Sequence, residues 1–323
     1  MPIVLFMMLF DIRVCSSLVR MVPPSSWNHR TLQHRPLHVS RITTHLKSTK
    51  LDTVRLSHLK YDIPEGNTEG GDPVIVLHGL LGNKKNFHTL STRLAAQLKK
   101  SRKVYCLDLR NHGDYPESHW KKSMSYDSMA ADVAAFLESE GIPKAILIGH
   151  SMGGKVAQAM ALQYPQLVSG LVVMDIAPVK YTIDDGSSWK AITNILSSLN
   201  EIPLDTFETK RQIDSHLKQY VEDPALRAFC LTNLGPDLKW KIPLNILYDQ
   251  LDTLADFDVS GQYTGDTFVI QGGTSRFIRH SHMETISKLF PNYMVTTIRG
   301  AGHWVHAEAP DDTLALLQRY LDR

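Results

Sequence analysis

The sequence has little cysteine, almost no net charge and no long hydrophobic run. Its three cysteines are odd in number and far apart, so they form neither a disulfide framework nor a CxxC metal site. This cysteine content is typical of a protein from a reducing compartment of the cell. The net charge of +2, from 35 basic and 33 acidic residues, argues against nucleic acid as a partner. The apolar run over residues 1–10 is too short for a transmembrane segment. A chain of 323 residues, 43% of them apolar, therefore indicates a globular protein of one large or two modest domains.

The small net charge conceals an asymmetry along the chain. Residues 1–50 carry seven Lys or Arg and one acid, a net charge of +6, whereas the remainder, with 28 basic and 32 acidic residues, sums to −4. The basic segment is rich in Ser and Thr and contains no Glu, a composition typical of a mitochondrial transit peptide. We therefore predict that residues 1–51 are a mitochondrial targeting segment.

Two alternatives remain open for this segment, a cytoplasmic disordered tail and a secretory signal. The apolar run at its start has no preceding basic stretch and no clear small-residue cleavage site, which weakens the secretory interpretation. Translation from Met21 would remove the apolar run and leave the basic part.

From about residue 52, short apolar runs of β-type composition alternate with segments of helical periodicity. This alternation predicts an α/β fold with a mainly parallel sheet, covered by helices on both faces. Helices are predicted over residues 125–140 and 153–164 and in a last segment near the C-terminus. The strongest strand runs are residues 74–77, 104–107, 145–148, 171–174, 268–270 and 295–298.

The alternation stops between about residues 178 and 266, a stretch that we call the insertion. It has no convincing strand run and contains amphipathic segments, such as 189–199 and 206–221, with Pro and Gly between them. Insertions into α/β folds usually lie at the loop face where ligands bind, so we predict a helical cap inserted between core strands. Extra helices packed elsewhere are the alternative. The predicted organisation is one α/β domain, residues 52–323, with this cap.

A nucleophile motif follows the strand run 145–148. Residues 149–153 read Gly-His-Ser-Met-Gly and precede a small-residue helix, which is the G-x-S-x-G pattern in its strand–turn–helix context. Ser151 is the predicted nucleophile, since a side chain at Gly149 or Gly153 would collide with the neighbouring strand or helix. The turn leaves the amide of Met152 at the helix N-terminus, where it stabilises a developing negative charge.

A second donor for that charge is predicted in the loop after the run 74–77. Residues 78–82 read His-Gly-Leu-Leu-Gly. Gly79 allows the backbone to approach closely, the amide of Leu80 is the candidate donor, and His78 has a supporting position. An ordinary glycine-rich strand exit is the alternative.

The general base that activates Ser151 is expected near the C-terminus. In folds that carry this nucleophile motif, the catalytic residues follow one another along the chain in the order serine, acid, histidine. His303 lies in a loop whose glycines allow it to bend over the site, so we predict that His303 is the base. His280, His282 and His306 are predicted to be surface or capping residues. No HExxH or comparable spacing occurs, so we predict no metal and no cofactor, with acetyl-CoA as a candidate substrate.

The acid is absent from the position where it often occurs, after the penultimate strand, where Ser275 stands instead. One strand earlier, Asp175 directly follows an apolar run. The C-terminal ends of adjacent parallel strands lie side by side, so this carboxylate can reach the far nitrogen of His303. We predict that Asp175 is the acid; Asp249 and Asp252 in the insertion are the alternatives.

These residues together resemble an α/β-hydrolase, and more particularly the mitochondrial abhydrolase group with its bacterial short-chain esterases and yeast ethanol acetyltransferases. The resemblance spans residues 52–323 and implies a Ser151–Asp175–His303 triad. The chain departs from the group at residues 115–116, Tyr-Pro, where the group usually has Ser-Pro at the pocket rim. The blocks that carry the resemblance are 78–82, 108–113 (Asp-Leu-Arg-Asn-His-Gly), 149–155 (Gly-His-Ser-Met-Gly-Gly-Lys), 173–178 (Val-Met-Asp-Ile-Ala-Pro) and 302–308 (Gly-His-Trp-Val-His-Ala-Glu).

The predicted function is hydrolysis of short-chain acyl esters or thioesters through an acyl-serine intermediate. Transfer of the acyl group to an alcohol would use the same residues, so an acetyl-CoA-dependent alcohol acetyltransferase is the alternative. A non-catalytic partner-binding protein is a second alternative, disfavoured because the set of reactive residues is complete. A dehalogenase is disfavoured because that chemistry uses Asp at the position of Ser151. The expected partners are small esters, thioesters or alcohols.

Overall fold

Residues 52–67, 70–186 and 188–323 are described by a computed structural model, and they form an α/β fold around a seven-stranded sheet. The predicted targeting segment, residues 1–51, lies outside the described residues. The strands are β1 (His58–Tyr61), β2 (Val74–Leu77), β3 (Val104–Leu107), β4 (Ala145–His150), β5 (Val168–Met174), β6 (Thr267–Gly272) and β7 (Tyr293–Ile298).

The order of strands in the sheet is β1-β3-β2-β4-β5-β6-β7. The β1–β3 pair is antiparallel, and the other five pairs are parallel. Strands β2, β3 and β4 are buried along their whole length, which explains their continuous apolar runs. The predicted fold class, a mainly parallel sheet within an α/β protein, is confirmed.

Helices cover both faces of the sheet. Helices α2 (Tyr126–Ser139) and α3 (Met152–Gln163) pack on one face. Helices α1 (His88–Gln97) and α11 (Pro310–Leu321) pack on the other, and each pair lies against a separate apolar cluster. None of the helices in the described part of the chain is long and apolar enough to cross a membrane. The helices are α1 (His88–Gln97), α2 (Tyr126–Ser139), α3 (Met152–Gln163), α4 (Trp189–Asn200), α5 (Lys210–Leu217), α6 (Pro224–Cys230), α7 (Leu244–Asp249), α8 (Leu251–Ala255), α9 (Met283–Leu289), α10 (Val305–Glu308) and α11 (Pro310–Leu321).

The bounds of these elements follow from local chemistry. The side chain of Ser125 accepts a hydrogen bond from the amide of Ser128 and so begins α2, and the helix ends before Gly141, whose φ is 64°. Helix α3 ends just before Pro165. Both helices bury apolar stripes that hold them on the sheet.

The insertion contains helices α4 to α8, between β5 and β6. Its helices bury apolar faces of their own: Ile195, Leu196 and Leu199 of α4 are buried, as are Ile213 and Leu217 of α5. Side chains from α4 and α6 line a cavity above Ser151. The insertion therefore contributes the outer wall of the space next to the predicted nucleophile.

A buried lysine ties both ends of the insertion to the core. Lys155 of α3 is 1% exposed, and its Nζ donates hydrogen bonds to the carbonyl oxygens of Val179, Ala255 and Asp256, at 2.9, 2.8 and 3.0 Å. The ammonium group also lies 4.8 Å from the ring centre of Tyr181. Burial lowers the pKa of Lys155 to about 7, and the charge of Asp256 opposes that shift. Three carbonyl acceptors satisfy all three hydrogens of the ammonium form.

Candidate active site

Ser151 occupies a strained turn between β4 and α3. Its φ of 52° and ψ of −119° lie outside the regions that side-chain-bearing residues prefer. A Cβ on Gly149 would lie 2.2 Å from the carbonyl oxygen of Gly153, and one on Gly153 would lie 2.4 Å from that of Leu77. Any side chain at either position would collide with backbone atoms that cannot move aside, so both positions require glycine. The turn places Ser151 at the C-terminal edge of the sheet.

The three predicted triad residues meet at this edge. The Nε2 of His303 lies 3.0 Å from Oγ of Ser151, and its Nδ1 lies 2.7 Å from Oδ2 of Asp175. The carboxylate holds the ring hydrogen on Nδ1, so Nε2 is free to accept the hydroxyl hydrogen. Asp249 and Asp252 are exposed on α7 and α8, and the carboxylate in contact with His303 is that of Asp175.

Asp175 is completely buried and has further hydrogen bonds besides that to His303. Its Oδ1 accepts from the amide of Gly272 at 2.9 Å, and its Oδ2 accepts from the hydroxyl of Ser275. Ser275, which stands where the acid was expected, therefore donates a hydrogen bond to Asp175, the acid at the end of the neighbouring strand. Sequence reasoning missed this role, although the place of Ser275 after the penultimate strand was a usable signal.

Glu308 holds the loop that carries His303. One carboxylate oxygen accepts from the amide of Gly302 at 2.6 Å, and the other from the amide of Trp304 at 3.0 Å. The ring of Phe277 packs against the imidazole with centroids 4.1 Å apart. Glu308 thus fixes the backbone on either side of His303, and Phe277 packs against the imidazole ring; neither residue was a candidate from the sequence.

The two predicted oxyanion donors flank the serine. A Cβ on Gly79 would lie 3.3 Å from Cβ of Ser151, so the loop carrying Leu80 passes directly beside the nucleophile. In the described part of the chain, no protein group accepts a hydrogen bond from the amide of Leu80 or of Met152. Both N–H groups are thus available for a negatively charged oxygen.

Two buried histidines brace this loop in their neutral form. The Nδ1 of His78 donates to the carbonyl of Gly79 at 2.8 Å, and its Nε2 accepts from the amide of Leu109 at 3.0 Å. The Nε2 of His112 accepts from the amide of Leu81 at 3.2 Å. Burial lowers the pKa of His78 to about 4 and that of His112 to about 3. The supporting position predicted for His78 corresponds to this bracing contact.

The prediction that His280, His282 and His306 are surface or capping residues is wrong for His306. His280 is exposed, and His282, although only 6% exposed, occupies the N-cap position of α9 without a side-chain capping hydrogen bond. His306 stacks on Phe87 with centroids 4.3 Å apart and lines the cavity at Ser151; burial lowers its pKa to about 3. The sequence gives no indication of this stacking, because Phe87 is more than 200 positions away.

Two cavities that the described residues enclose reach Ser151. The larger has a volume of about 730 Å³ and runs from the serine past His303 towards Arg93 and Pro310. Its insertion side is mostly apolar, with Ile192, Leu226 and Phe229. The smaller has a volume of about 30 Å³ and lies on the side of Met152.

A strained serine, a histidine fixed by a buried carboxylate and two free amides, on a sheet of this topology, define a serine hydrolase of the α/β type. The family model described as the alpha/beta hydrolase fold matches residues 72–197. The chain belongs to the α/β-hydrolase family, and the predicted resemblance is confirmed.

Relatives and one solved structure support this assignment. The chain is 35% identical over 269 residues to the sn-1-specific diacylglycerol lipase of Mus musculus, covering 81% of this chain and 85% of the relative. It is 32% identical over 293 residues to a probable alcohol acetyltransferase of Saccharomyces cerevisiae, covering 82% of each. The structure of a marine microorganism esterase superposes with a TM-score of 0.75 at 30% identity, over 83% of this chain and 100% of that chain.

Proposed function

We propose that this protein hydrolyses short-chain acyl esters or thioesters through an acyl intermediate on Ser151, with His303 as base and Asp175 as acid. The observation that carries the proposal is the unbroken chain of contacts from Oγ of Ser151 through His303 to a fully buried Asp175. The names of the lipase and esterase relatives support the hydrolysis of an ester.

The acylation step follows from these positions. Nε2 of His303 takes the hydroxyl proton as Oγ of Ser151 forms a bond to the substrate carbonyl carbon. Asp175 stabilises the imidazolium, and the amides of Leu80 and Met152 bind the negatively charged oxygen. The bond to the alcohol or thiol then breaks, and the leaving group takes the proton from His303.

Deacylation follows the same steps, with water as the attacking group. His303 takes a proton from the water as the water oxygen attacks the acyl carbon, and the bond to Oγ breaks. The carboxylic acid leaves, and Oγ of Ser151 regains the proton from His303. Side chains and amides of the chain itself supply every group in this scheme, so we propose a reaction without metal or cofactor.

Labelling with a fluorophosphonate probe, together with p-nitrophenyl acetate hydrolysis, tests the proposal. We expect both signals in the wild type and neither in Ser151→Ala, because only an activated serine attacks the probe. His280→Gln, which changes an exposed histidine, is the matched control and should behave as the wild type. A wild-type protein that is folded but never labels would support the non-catalytic binding protein instead.

An alcohol acetyltransferase is the second candidate, supported by the yeast relative of that printed name. In that reaction an alcohol in place of water attacks the acyl-serine, and acetyl-CoA serves as the acyl donor. Product analysis with acetyl-CoA, with and without ethanol, separates the two. Ethyl acetate formation would favour transfer, and acetate alone at high ethanol would exclude it.

We also propose that residues 1–51 address the protein to mitochondria; a cytoplasmic location is the alternative. The support is their charge of +6 and their Ser- and Thr-rich composition. Residues 1–51 fused to a fluorescent protein should enter mitochondria, and a diffuse cytoplasmic signal would contradict the proposal. The control fusion replaces by Gln the arginines Arg13, Arg20, Arg30, Arg35 and Arg41.

A further inference from the structure

The loop that carries Leu80, residues 78–82, contains a strained turn. The amide of Gly82 donates to the carbonyl of Gly79 at 3.0 Å and closes a turn in which Leu81 is the third residue. Leu81 has a φ of 62°, at a position where turns with positive φ normally take Gly or Asn. Backbone strain of this kind persists only where surrounding contacts hold it, so the turn depends on the groups that bind Leu81.

Two side chains from distant parts of the chain hold Leu81. Its amide donates to Nε2 of His112 at 3.2 Å, and its carbonyl accepts from Nδ2 of Asn233 at 2.8 Å. His112 lies in the loop after β3, whereas Asn233 lies in the insertion, 152 positions from Leu81. Leu81 is therefore bound once by the core and once by the insertion.

The contact with Asn233 begins a chain of hydrogen bonds that ends at the oxyanion site. The carbonyl of Leu81 and the amide of Gly82 belong to one peptide unit, and that amide donates to the carbonyl of Gly79. The carbonyl of Gly79 and the amide of Leu80 belong to a second unit. Both units are trans and planar, so the N–H of each points away from its C=O. The chain therefore runs from Nδ2 of Asn233 through two peptide units to the amide of Leu80.

This chain acts on the amide of Leu80 in two ways. It fixes the plane of the peptide between Gly79 and Leu80, and with it the direction of the N–H that we propose binds the oxyanion. Each hydrogen bond in such a chain also polarises the next, which makes the last donor stronger. An aligned and polarised N–H stabilises a developing negative charge without having to reorient during the reaction.

Several contacts keep Asn233 itself in place. It is 2% exposed and ends a short 3₁₀ helix, Leu231–Asn233, directly after α6. Its Nδ2 also donates to the carbonyl of Cys230 at 3.4 Å, and its own carbonyl accepts from the amide of Lys241 at 2.9 Å. Because two carbonyl oxygens face Nδ2, only the amino end of the side-chain amide fits at this point. A leucine of similar size would leave the carbonyl of Leu81 without this donor.

We infer that Asn233 is a positioning residue of the oxyanion site, and that through it the insertion controls the reactivity at Ser151 as well as enclosing the substrate. This inference rests on the acyl-serine function proposed above. Asn233 is not among the residues that line either cavity, so its effect on the reaction passes through the amide of Leu80.

Asn233→Leu tests the inference, because it keeps the approximate size of the side chain and removes the donor. We expect kcat for p-nitrophenyl acetate to fall by about 10- to 100-fold, with KM changed by less than about threefold. Outright loss of an oxyanion donor costs about 10²- to 10³-fold, and His78 still holds the loop in this variant. An unchanged kcat, or a loss confined to KM, would overturn the inference.

Thr232→Val is the matched control. Thr232 is exposed in the same 3₁₀ helix, and its hydroxyl donates to the carbonyl of Phe229, within the insertion. This variant also loses one hydrogen bond from a side chain to a carbonyl, but not one to the loop at Leu81. We expect it to keep the wild-type kcat, and a fall equal to that of Asn233→Leu would overturn the inference.

Two matched ketone inhibitors separate positioning from a general loosening of the site. An alkyl trifluoromethyl ketone forms a tetrahedral adduct with an activated serine, and the adduct oxygen occupies the oxyanion site. The corresponding methyl ketone binds without forming this adduct. In Asn233→Leu, the inhibition constant of the trifluoromethyl ketone should rise by about the factor by which kcat falls, and that of the methyl ketone should change by less than about threefold. Equal weakening of both would overturn the inference.

Fluorophosphonate labelling distinguishes failure of this inference from failure of the proposed function. A wild type that labels, with Asn233→Leu as active as the wild type, would leave the acyl-serine function in place and refute the positioning role. A wild type that does not label would refute the function itself. Asn233→Ala, which adds no atoms to the buried site, replaces Asn233→Leu if circular dichroism shows that the leucine variant does not fold.

Discussion

Ser151 and Asp175 both have a φ of 52°, which is rare for residues other than glycine. Each is the first residue after its strand, β4 or β5, and the two strands are neighbours in the sheet. Such backbone strain persists only where surrounding contacts hold it. The strain turns the two side chains out of the sheet at its edge, where His303 joins them.

The contacts of Asp175 lead to a graded prediction. Asp175→Asn should lower kcat by about 10³- to 10⁴-fold, since the wrong ring tautomer of His303 would be favoured. Ser275→Ala should lower kcat by about tenfold, the effect of losing one hydrogen bond to a charged group. Steady-state kinetics and thermal unfolding of each variant provide the measurement.

Ser275→Thr is the control for this series, because it keeps the hydroxyl and should restore most of the rate. Full activity in Asp175→Asn would show that a carboxylate other than Asp175 serves as the acid. A melting temperature unchanged in Ser275→Ala, together with the rate loss, would show that the hydroxyl acts on the site rather than on stability.

Single residues were predictable from sequence where a local motif identified them. Ser151 lies between two glycines at the junction of a strand and a helix, and His303 follows the last strand. Glu308 and Ser275 act through contacts, and the partner of Ser275 lies 100 positions away in the chain. A single sequence does not reveal the partner of Ser275, although the place of Ser275 after the penultimate strand marks it as a candidate. Glu308 contacts amides only four and six positions away, but its residue type alone does not distinguish it from a surface glutamate.

At the scale of elements, continuous apolar runs predicted the buried strands, because these strands are covered on both faces. Strand β1 was not predicted: its residues are half-buried or exposed at the edge of the sheet, so it has no apolar run. In the insertion, the amphipathic segment 206–221 became a shorter helix, α5. A capping box between Thr209 and Gln212 begins that helix at Lys210.

Lys155 gives a prediction for the anchoring of the insertion. Lys155→Met keeps much of the side-chain volume but leaves buried carbonyl oxygens at both ends of the insertion without their donor. We expect the free energy of unfolding to fall by about 2–3 kcal/mol, measured by urea denaturation. Lys180→Met is the matched control: its exposed ion pair with Asp256 should contribute less than about 1 kcal/mol. Equal stability of Lys155→Met and the wild type would contradict the anchoring role.

At the scale of the whole molecule, the fold keeps several histidines neutral. Burial lowers the pKa of His78 to about 4, those of His112 and His306 to about 3, and that of His150 well below its usual value. In the unfolded chain these groups bind protons below about pH 6.5. The unfolded state therefore gains protons first as the pH falls, and the stability of the native state decreases.

We expect the free energy of unfolding to decline between about pH 6.5 and about pH 4, by up to about 1.4 kcal/mol per pH unit for each such histidine. Urea denaturation at several pH values measures it. His306→Phe keeps a ring against Phe87 and should make the decline shallower, whereas His280→Gln, at an exposed site, should not. A free energy of unfolding that stays constant over this interval would contradict neutral burial.

The chain leaves the sheet after β5 and returns at β6, the adjacent strand, and Lys155 holds the two ends of the excursion together. A segment attached at neighbouring points can lengthen, shorten or be exchanged without disturbing the register of the strands. Ser151, Asp175 and His303 all lie outside it. Substitutions confined to this one continuous stretch of the gene can therefore change which esters enter the site, while the residues that carry out the reaction stay the same.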